Sequence, residues 1–304
     1  MASKRARIRT ALLQWYARHG RSDLPWRSQR SAYRTLVSEF MLAQTQAGRV
    51  AAVFERFVGR YGSFEELQSA TTADVLRAWQ GLGYNSRAVR LKALATAVVE
   101  NHDGRLPQQT SQLRALPGIG PYTAAAVRAF AYDIDDAAID VNVRRVVQRV
   151  FAGLEFPTAA PHAELDRTAL ELVPAGRSHD WNSAMMDLGA TVCTARAPKC
   201  LICPLRALCE AAPVDATRLE ALRRASLKPS APERFERTVR FARGRIVDRL
   251  RALEAGTTIS FLDLSGALRD VLPDRDADEV RRIVAALERD GLITVRGENL
   301  ALRD

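Results

Sequence analysis

The 304-residue chain has four cysteines, Cys193, Cys200, Cys203 and Cys209, and all of them fall in one short segment. Four thiolates spaced x6, x2 and x5 suit either a [4Fe-4S] cluster or a structural zinc. Zinc ribbons usually pair two short Cys-x2-Cys knuckles, and this loop has only one, which favours the cluster. With every thiolate engaged as a ligand none remains as a nucleophile, so the loop is expected to be architectural. A second pattern, Leu116-Pro117-Gly118-Ile119-Gly120-Pro121, leads into Tyr122-Thr123-Ala124-Ala125-Ala126. Glycines at Gly118 and Gly120 would let backbone N–H groups at a helix start approach a phosphate, and the alanines would let a neighbouring helix pack close. Third, Ile139-Asp140-Val141-Asn142 sets Asp140 immediately before an apolar-periodic stretch, where an aspartate serves at least as an N-cap.

The elements that must position these residues read as helices. Ala, Leu and Val recur at three- and four-residue spacing over 35–59, 72–80, 86–100, 121–132, 141–152 and 163–173, separated by turn signals such as Gly81-Leu82-Gly83-Tyr84 and His102-Asp103-Gly104. Residues 1–212 are therefore expected to form one all-α domain, its cluster loop at 193–209. Proline-bearing residues 213–237 are expected to be a linker. Residues 238–304, with three helical patterns and a closing hairpin around Arg296-Gly297-Glu298-Asn299, are expected to be a winged-helix-like α+β module.

The formal charge is +10, and residues 1–30 carry eight Lys or Arg against one acid, Asp23. Such a surface favours a polyanion such as nucleic acid. No apolar stretch approaches the roughly 20 residues that cross a bilayer, and the basic start does not read as a secretory signal. Cysteines confined to one loop fit a reducing compartment, so a cytoplasmic, nucleoid-associated protein is expected.

A Gly-x-Gly hairpin, an aspartate about 20 residues later and a four-cysteine loop, in this order, resemble the helix-hairpin-helix DNA glycosylases. Within them the adenine-DNA glycosylase branch is most similar. Its motifs resemble, in order, Leu24-Pro25-Trp26-Arg27, Val37-Ser38-Glu39-Phe40-Met41-Leu42-Ala43-Gln44-Thr45-Gln46, Gly81-Leu82-Gly83-Tyr84, Asp140-Val141-Asn142 and Asn182-Ser183-Ala184-Met185-Met186-Asp187. The resemblance covers about residues 5–212 and implies a two-lobed all-α fold, a [4Fe-4S] cluster on the four cysteines, and monomeric action on double-stranded DNA that holds a mispaired or damaged base.

Cleaving an N-glycosidic bond needs a proton for the departing base and an anion beside the oxocarbenium-like sugar, a division of labour between two carboxylates. The resemblance implies that Glu39 protonates a flipped adenine at N7 and that Asp140, with Asn142 beside it, stabilises the cation. If Glu39 is buried its pKa rises toward the working pH. Tyr122 stands where lyase-type relatives, similar to endonuclease III, carry a Schiff-base lysine, and no lysine lies between Lys92 and Lys199. Imine chemistry needs an amine, so a monofunctional glycosylase is expected. Gln44, Leu82 and Tyr84 resemble the residues that fill the stack where the base is extruded, Trp26 an aromatic wall of the base pocket and Gly118 and Gly120 the phosphate-binding hairpin, and the resemblance places Arg27, Thr45 and Ser183 among the residues that contact DNA or the base.

Ser183 replaces a Gln or Glu usual in the branch, Ala43 a Gln, and Val141 a Gly. The branch's Nudix-like domain is expected to be missing, with the winged-helix-like module standing in its place. Thr45-Gln46-Ala47-Gly48-Arg49-Val50 and the run 172–182 also resemble archaeal thymine-DNA mismatch glycosylases, so removal of thymine or uracil opposite guanine is an alternative. A non-catalytic DNA-binding regulator is another, but it would leave the coincidence of Glu39, Tyr122 and Asp140 unexplained. In the C-terminal module Arg281, Arg282, Arg289 and Arg296 are interleaved with Asp278, Glu279, Glu288 and Asp290. A helix so mixed in sign is a poor DNA reader. The module is expected to dock on the catalytic lobes or on a protein partner and to contribute less than about one unit of salt dependence.

Overall fold

The structure, a computed structural model, describes residues 3–156, 163–226 and 234–304. As expected it is mainly helical. In chain order the helices are α1 (Lys4–His19), α2 (Pro25–Ser28), α3 (Ala32–Leu42), α4 (Ala47–Arg60), α5 (Phe64–Ser69), α6 (Thr72–Ala78), α7 (Ser86–His102) and α8 (Thr110–Ala115). There follow α9 (Pro121–Tyr132), α10 (Val141–Ala152), α11 (Ala163–Glu171), α12 (Ser178–Thr191), α13 (Ala216–Ser226), α14 (Val239–Arg251), α15 (Phe261–Leu268) and α16 (Ala277–Arg289). The chain divides into two compact units that interleave in sequence. One is Met1–Leu36, Gln108–Ala115 and Ile119–Pro229; the other is Val37–Pro107, Leu116–Gly118 and Ser230–Asp304.

The first unit closes around α1, α10, α11 and α12, which meet through Ile8, Leu12, Val146, Val150, Leu165, Trp181 and Leu188. Each such side chain contributes about 1.5–3 kcal/mol by leaving water. Helix α10 begins where Asp140 caps it and ends at Gly153, whose φ of 63° lets the chain leave through the left-handed region. Its buried stripe includes two arginines, Arg145 and Arg149, among valines.

The second unit packs α4, α6 and α7 around Phe54, Phe57, Trp79 and Leu91. Ser63 and Thr71 cap α5 and α6 by accepting from Glu66 N and Asp74 N. The C-terminal module belongs to this unit. Its order is α14, β1 (Ile259–Ser260), α15, α16, β2 (Ile293–Arg296) and β3 (Asn299–Leu302). The strands form one antiparallel sheet, β1-β3-β2, with Ile259 opposite Leu300 and Ile293 opposite Leu302. Three helices with a hairpin wing match the winged-helix expectation. Arg251 of α14 donates to Leu76 O (2.9 Å) and Asn85 Oδ1 (2.6 Å), so the module is seated on the α6–α7 segment.

Two expectations change. The apolar-periodic run 35–59 is not continuous: the helix breaks after Leu42, where Gln44 takes φ 64°, and restarts at Ala47. The segment 213–237 contains α13, which buries Leu219, and is therefore more than a linker. Pro229 and Pro232, read as linker residues, lie outside the described residues.

Candidate active site

Asp140 has extended backbone (φ −89°, ψ −175°), and its Oδ1 accepts from the N–H groups of Asn142 (2.8 Å) and Val143 (2.7 Å). Its Oδ2 accepts from Asn142 Nδ2 at 2.6 Å. The N-cap is thus real, and it also fixes the carboxylate's direction. Asn142 Oδ1 in turn accepts from Arg145 (2.9 Å), which donates as well to Gly189 O (2.7 Å) and Cys193 O (2.8 Å). Gly189 is required there, since a Cβ would lie 2.8 Å from Asn142 Cβ. Arg145, whose pKa is lowered by burial, therefore ties the Asp140 turn to the first cysteine. The sequence reading missed it; the available signal was a cation on the apolar stripe of α10.

Tyr122 is half-buried near the start of α9, and its hydroxyl meets Met186 Sδ of α12 at 4.0 Å. Ser183, one helical turn before Met186, is buried, and its hydroxyl has no hydrogen-bond partner among the described residues. Trp26 is half-buried on α2. Arg27 departs from its expected role: its guanidinium is turned inward onto Asp187, with Nη1 to Oδ2 at 2.8 Å and Nη2 to Oδ1 at 3.0 Å. Arg21 adds N to Oδ2 (2.9 Å) and Nε to Oδ1 (2.8 Å). A fully buried carboxylate requires such partners. Burial raises the Asp187 pKa, but the hydrogen bonds and charges of Arg27 and Arg21 outweigh burial and hold it below the usual carboxylate range. Arg27 anchors the turn that carries Trp26.

In the second unit Glu39 lies on α3, half-buried between buried Ser38 and Phe40, not fully in solvent. Gln44 is exposed and Thr45 half-buried in the break between α3 and α4. The Gly81–Tyr84 turn is held by positive φ at Gly81, Gly83 and Tyr84 (93°, 66° and 44°). Tyr84 is half-exposed, whereas Leu82 is 2% exposed, so as placed it offers no surface to a base stack. A residue the sequence did not flag joins both turns. The buried Arg87 donates through Nη1 to Phe40 O, Met41 O and Ala43 O, each at 2.7 Å. Through Nη2 it reaches Thr45 Oγ1 (3.0 Å), Leu82 O (3.2 Å) and Gly83 O (3.1 Å). Burial lowers its pKa to about 10, which leaves it cationic at neutral pH.

The Gly-x-Gly turn lies between α8 and α9. Gly118 has φ 78°, and a Cβ there would come within 3.1 Å of Phe40. Gly120 is the N-cap of α9 in extended conformation, with open space where a Cβ would be.

The four cysteine thiols line one cavity, together with Arg149 and Leu205. Four thiols around one cavity are a donor set that fits an iron-sulfur cluster. Arg149 donates to Cys193 Sγ (3.4 Å) and Thr194 O (2.8 Å), placing a buried cation against the ligands. Burial pushes the Cys203 thiol up to about 11, with the neighbouring cysteines adding to it, so this thiol needs bound cations in order to act as thiolate.

These features agree with comparisons to known proteins. Residues 37–174 match the family of HhH-GPD superfamily base excision DNA repair proteins, and residues 193–209 match the iron-sulfur binding domain of endonuclease III. The chain is 41% identical to an adenine DNA glycosylase of Mycobacterium tuberculosis, over 94% of this chain and 90% of that protein. It is 39% identical to the adenine DNA glycosylase of Mycolicibacterium smegmatis, over 88% and 89% respectively. A solved thermostable thymine-DNA glycosylase is 34% identical over 68% of this chain and 96% of its own, with a TM-score of 0.64. An endonuclease III structure bound to DNA, 22% identical over 74% of this chain and all of its own with a TM-score of 0.58, shares the fold.

Proposed function

The chain belongs to the HhH-GPD superfamily of base excision repair proteins and, within it, to the adenine DNA glycosylase family, and on that premise we propose that it hydrolyses the N-glycosidic bond of adenine mispaired with guanine or 8-oxoguanine. It is a DNA N-glycosylase that carries a [4Fe-4S] cluster on Cys193, Cys200, Cys203 and Cys209. No helix among the described residues is long and apolar enough to cross a membrane. We infer that the enzyme works as a monomer on nucleoid DNA in the cytoplasm.

In this reading the base is extruded from the duplex, Gln44 and Tyr84 occupy the opened stack, and Trp26 forms one wall of the pocket. Glu39 delivers a proton to N7, so adenine departs as a neutral base. Asp140 lies beside the sugar as the oxocarbenium-like cation develops, and water completes the hydrolysis. The observation that carries the reading is the Asp140 turn: two N–H groups and the Asn142 amide hold the carboxylate in one orientation before substrate arrives. Tyr122 offers no amine for imine formation, so the product is an intact strand with an abasic site. The cluster's place is structural, holding the loop that Arg145 links to this turn.

A second reading, removal of thymine or uracil opposite guanine, is favoured by the likeness to a Methanothermobacter thermautotrophicus thymine/uracil-DNA glycosylase, 35% identical over 66% of this chain and 91% of that protein. One assay separates them. Duplexes with A opposite 8-oxoguanine, A opposite guanine, and T or U opposite guanine are incubated with enzyme, and strand breaks are scored with and without alkali. Adenine release from the first two, with breaks only after alkali, is expected. Cleavage of the T or U duplexes alone would establish the second reading, and breaks without alkali would overturn the monofunctional assignment.

A further inference from the structure

Inside the second unit, a groove of about 520 Å³ runs between the Gly81–Ser86 turn and helix α14 of the C-terminal module. Five arginines line it, Arg49, Arg240, Arg243, Arg245 and Arg251, against one acid, Asp248. Three of the five are committed: Arg243 pairs with Asp290 (2.5 Å), and Arg245 and Arg251 pair with Asp248 (2.5 and 2.8 Å). Arg49 and Arg240 are exposed and make no ion pair among the described residues. Arg240 lies over the Tyr84 ring, its guanidinium carbon 3.6 Å from the ring centre. Stacking of this kind holds the planar head in one orientation and leaves its N–H edge free to donate. Cations gathered on one wall repel one another, and a polyanion relieves that repulsion.

We propose that this groove binds backbone phosphates of the duplex flanking the extruded base, with Arg240 and Arg49 as its contacting cations and α14 as the C-terminal module's contribution to the DNA face. The proposal rests on the glycosylase reading only in placing Tyr84 at the opened stack. It assigns the module a role different from the one its third helix suggests. On α16, Arg281 pairs with Glu298 (3.2 Å) and lies over Phe261, and it is therefore engaged within the module. The expectation of a weak salt contribution was drawn from that helix, whereas the uncommitted charge is on α14 and faces the Gly81–Ser86 turn.

The test uses the full chain and a duplex carrying an abasic-site analogue, with affinity measured across a range of salt. Each phosphate contact contributes about 0.9 to the slope of log affinity on log salt. R240A and R49A should each flatten the slope by about 0.9 and the double variant by about 1.8. R240K should keep the slope, because the charge remains, and R281A should keep it because that arginine is already paired. A wild-type slope in the double variant would overturn the proposal. So would loss of binding to polyglutamate by R240A with an unchanged DNA slope, which would assign the groove to an acidic protein. The readout needs no base release. An inactive wild type with the expected slope changes would refute the glycosylase reading alone, and an active one with unchanged slopes would refute the groove alone.

Discussion

Asp187 and Arg87 are buried charges, one in each unit, and they are neutralised in opposite ways. Asp187, in the first unit, is enclosed by the guanidinium groups of Arg21 and Arg27, so charge meets charge. Arg87, in the second, faces five carbonyl oxygens and one hydroxyl, with no carboxylate among the described residues in hydrogen-bond reach. The first arrangement is an ion-pair anchor that fixes one turn by its position. The second satisfies the frayed carbonyls at the end of α3 and those of the Gly81–Tyr84 turn at once, which α3 could not do for itself. Backbone carbonyls cannot titrate, so the second anchor should be indifferent to acid and the first should not.

The largest expected effect breaks the second anchor. Arg87→Ala should lower unfolding free energy by about 5 kcal/mol, because it leaves several buried carbonyls without donors and opens a cavity. Arg87→Lys should recover only part of this, since an ammonium has three donors and no fork. Urea unfolding of both variants measures it; a loss under 1 kcal/mol for the alanine variant would show the hydrogen bonds to be dispensable.

Little of this comparison was legible in the sequence. The cysteine loop, the Gly118 turn and the Asp140 cap were readable because each is defined by residue types at short range. Arg87 and Asp187 were not, because their partners lie as far as 47 and 166 residues away, and nothing in a helix pattern marks a guanidinium that points inward. For the same reason Arg27, which stands beside Trp26, read as a DNA contact although its position is set by Asp187. The break at Gln44 was missed because a left-handed glutamine has no sequence signature; its conformation is stabilised from α7. Helix α13 was hidden by the prolines around it.

A smaller effect is expected at the first anchor. Asp187→Asn should cost about 3 kcal/mol by leaving the partly buried Arg21 and Arg27 uncompensated. It also has a pH signature. The folded-state pKa of Asp187 is depressed, so its contribution is complete above the unfolded value of 3.8 and is lost as pH falls through the folded value. The wild type should therefore lose stability relative to Asp187→Asn below about pH 4, while Arg87 variants and wild type should keep a constant difference across that range. A pH-independent difference between wild type and Asp187→Asn would mean that the carboxylate is not charged in the folded protein.

The central claim is that the Asp140 carboxylate, oriented by its own helix start, acts at the sugar. It is tested most directly by single-turnover release of adenine opposite 8-oxoguanine by Asp140→Asn, with duplex affinity measured in parallel. Asparagine keeps the shape but removes the negative charge. Release should fall by about 10²-fold or more while affinity for the duplex stays close to that of the wild type. Release at the wild-type rate would contradict the account and leave Asp140 as a helix cap alone.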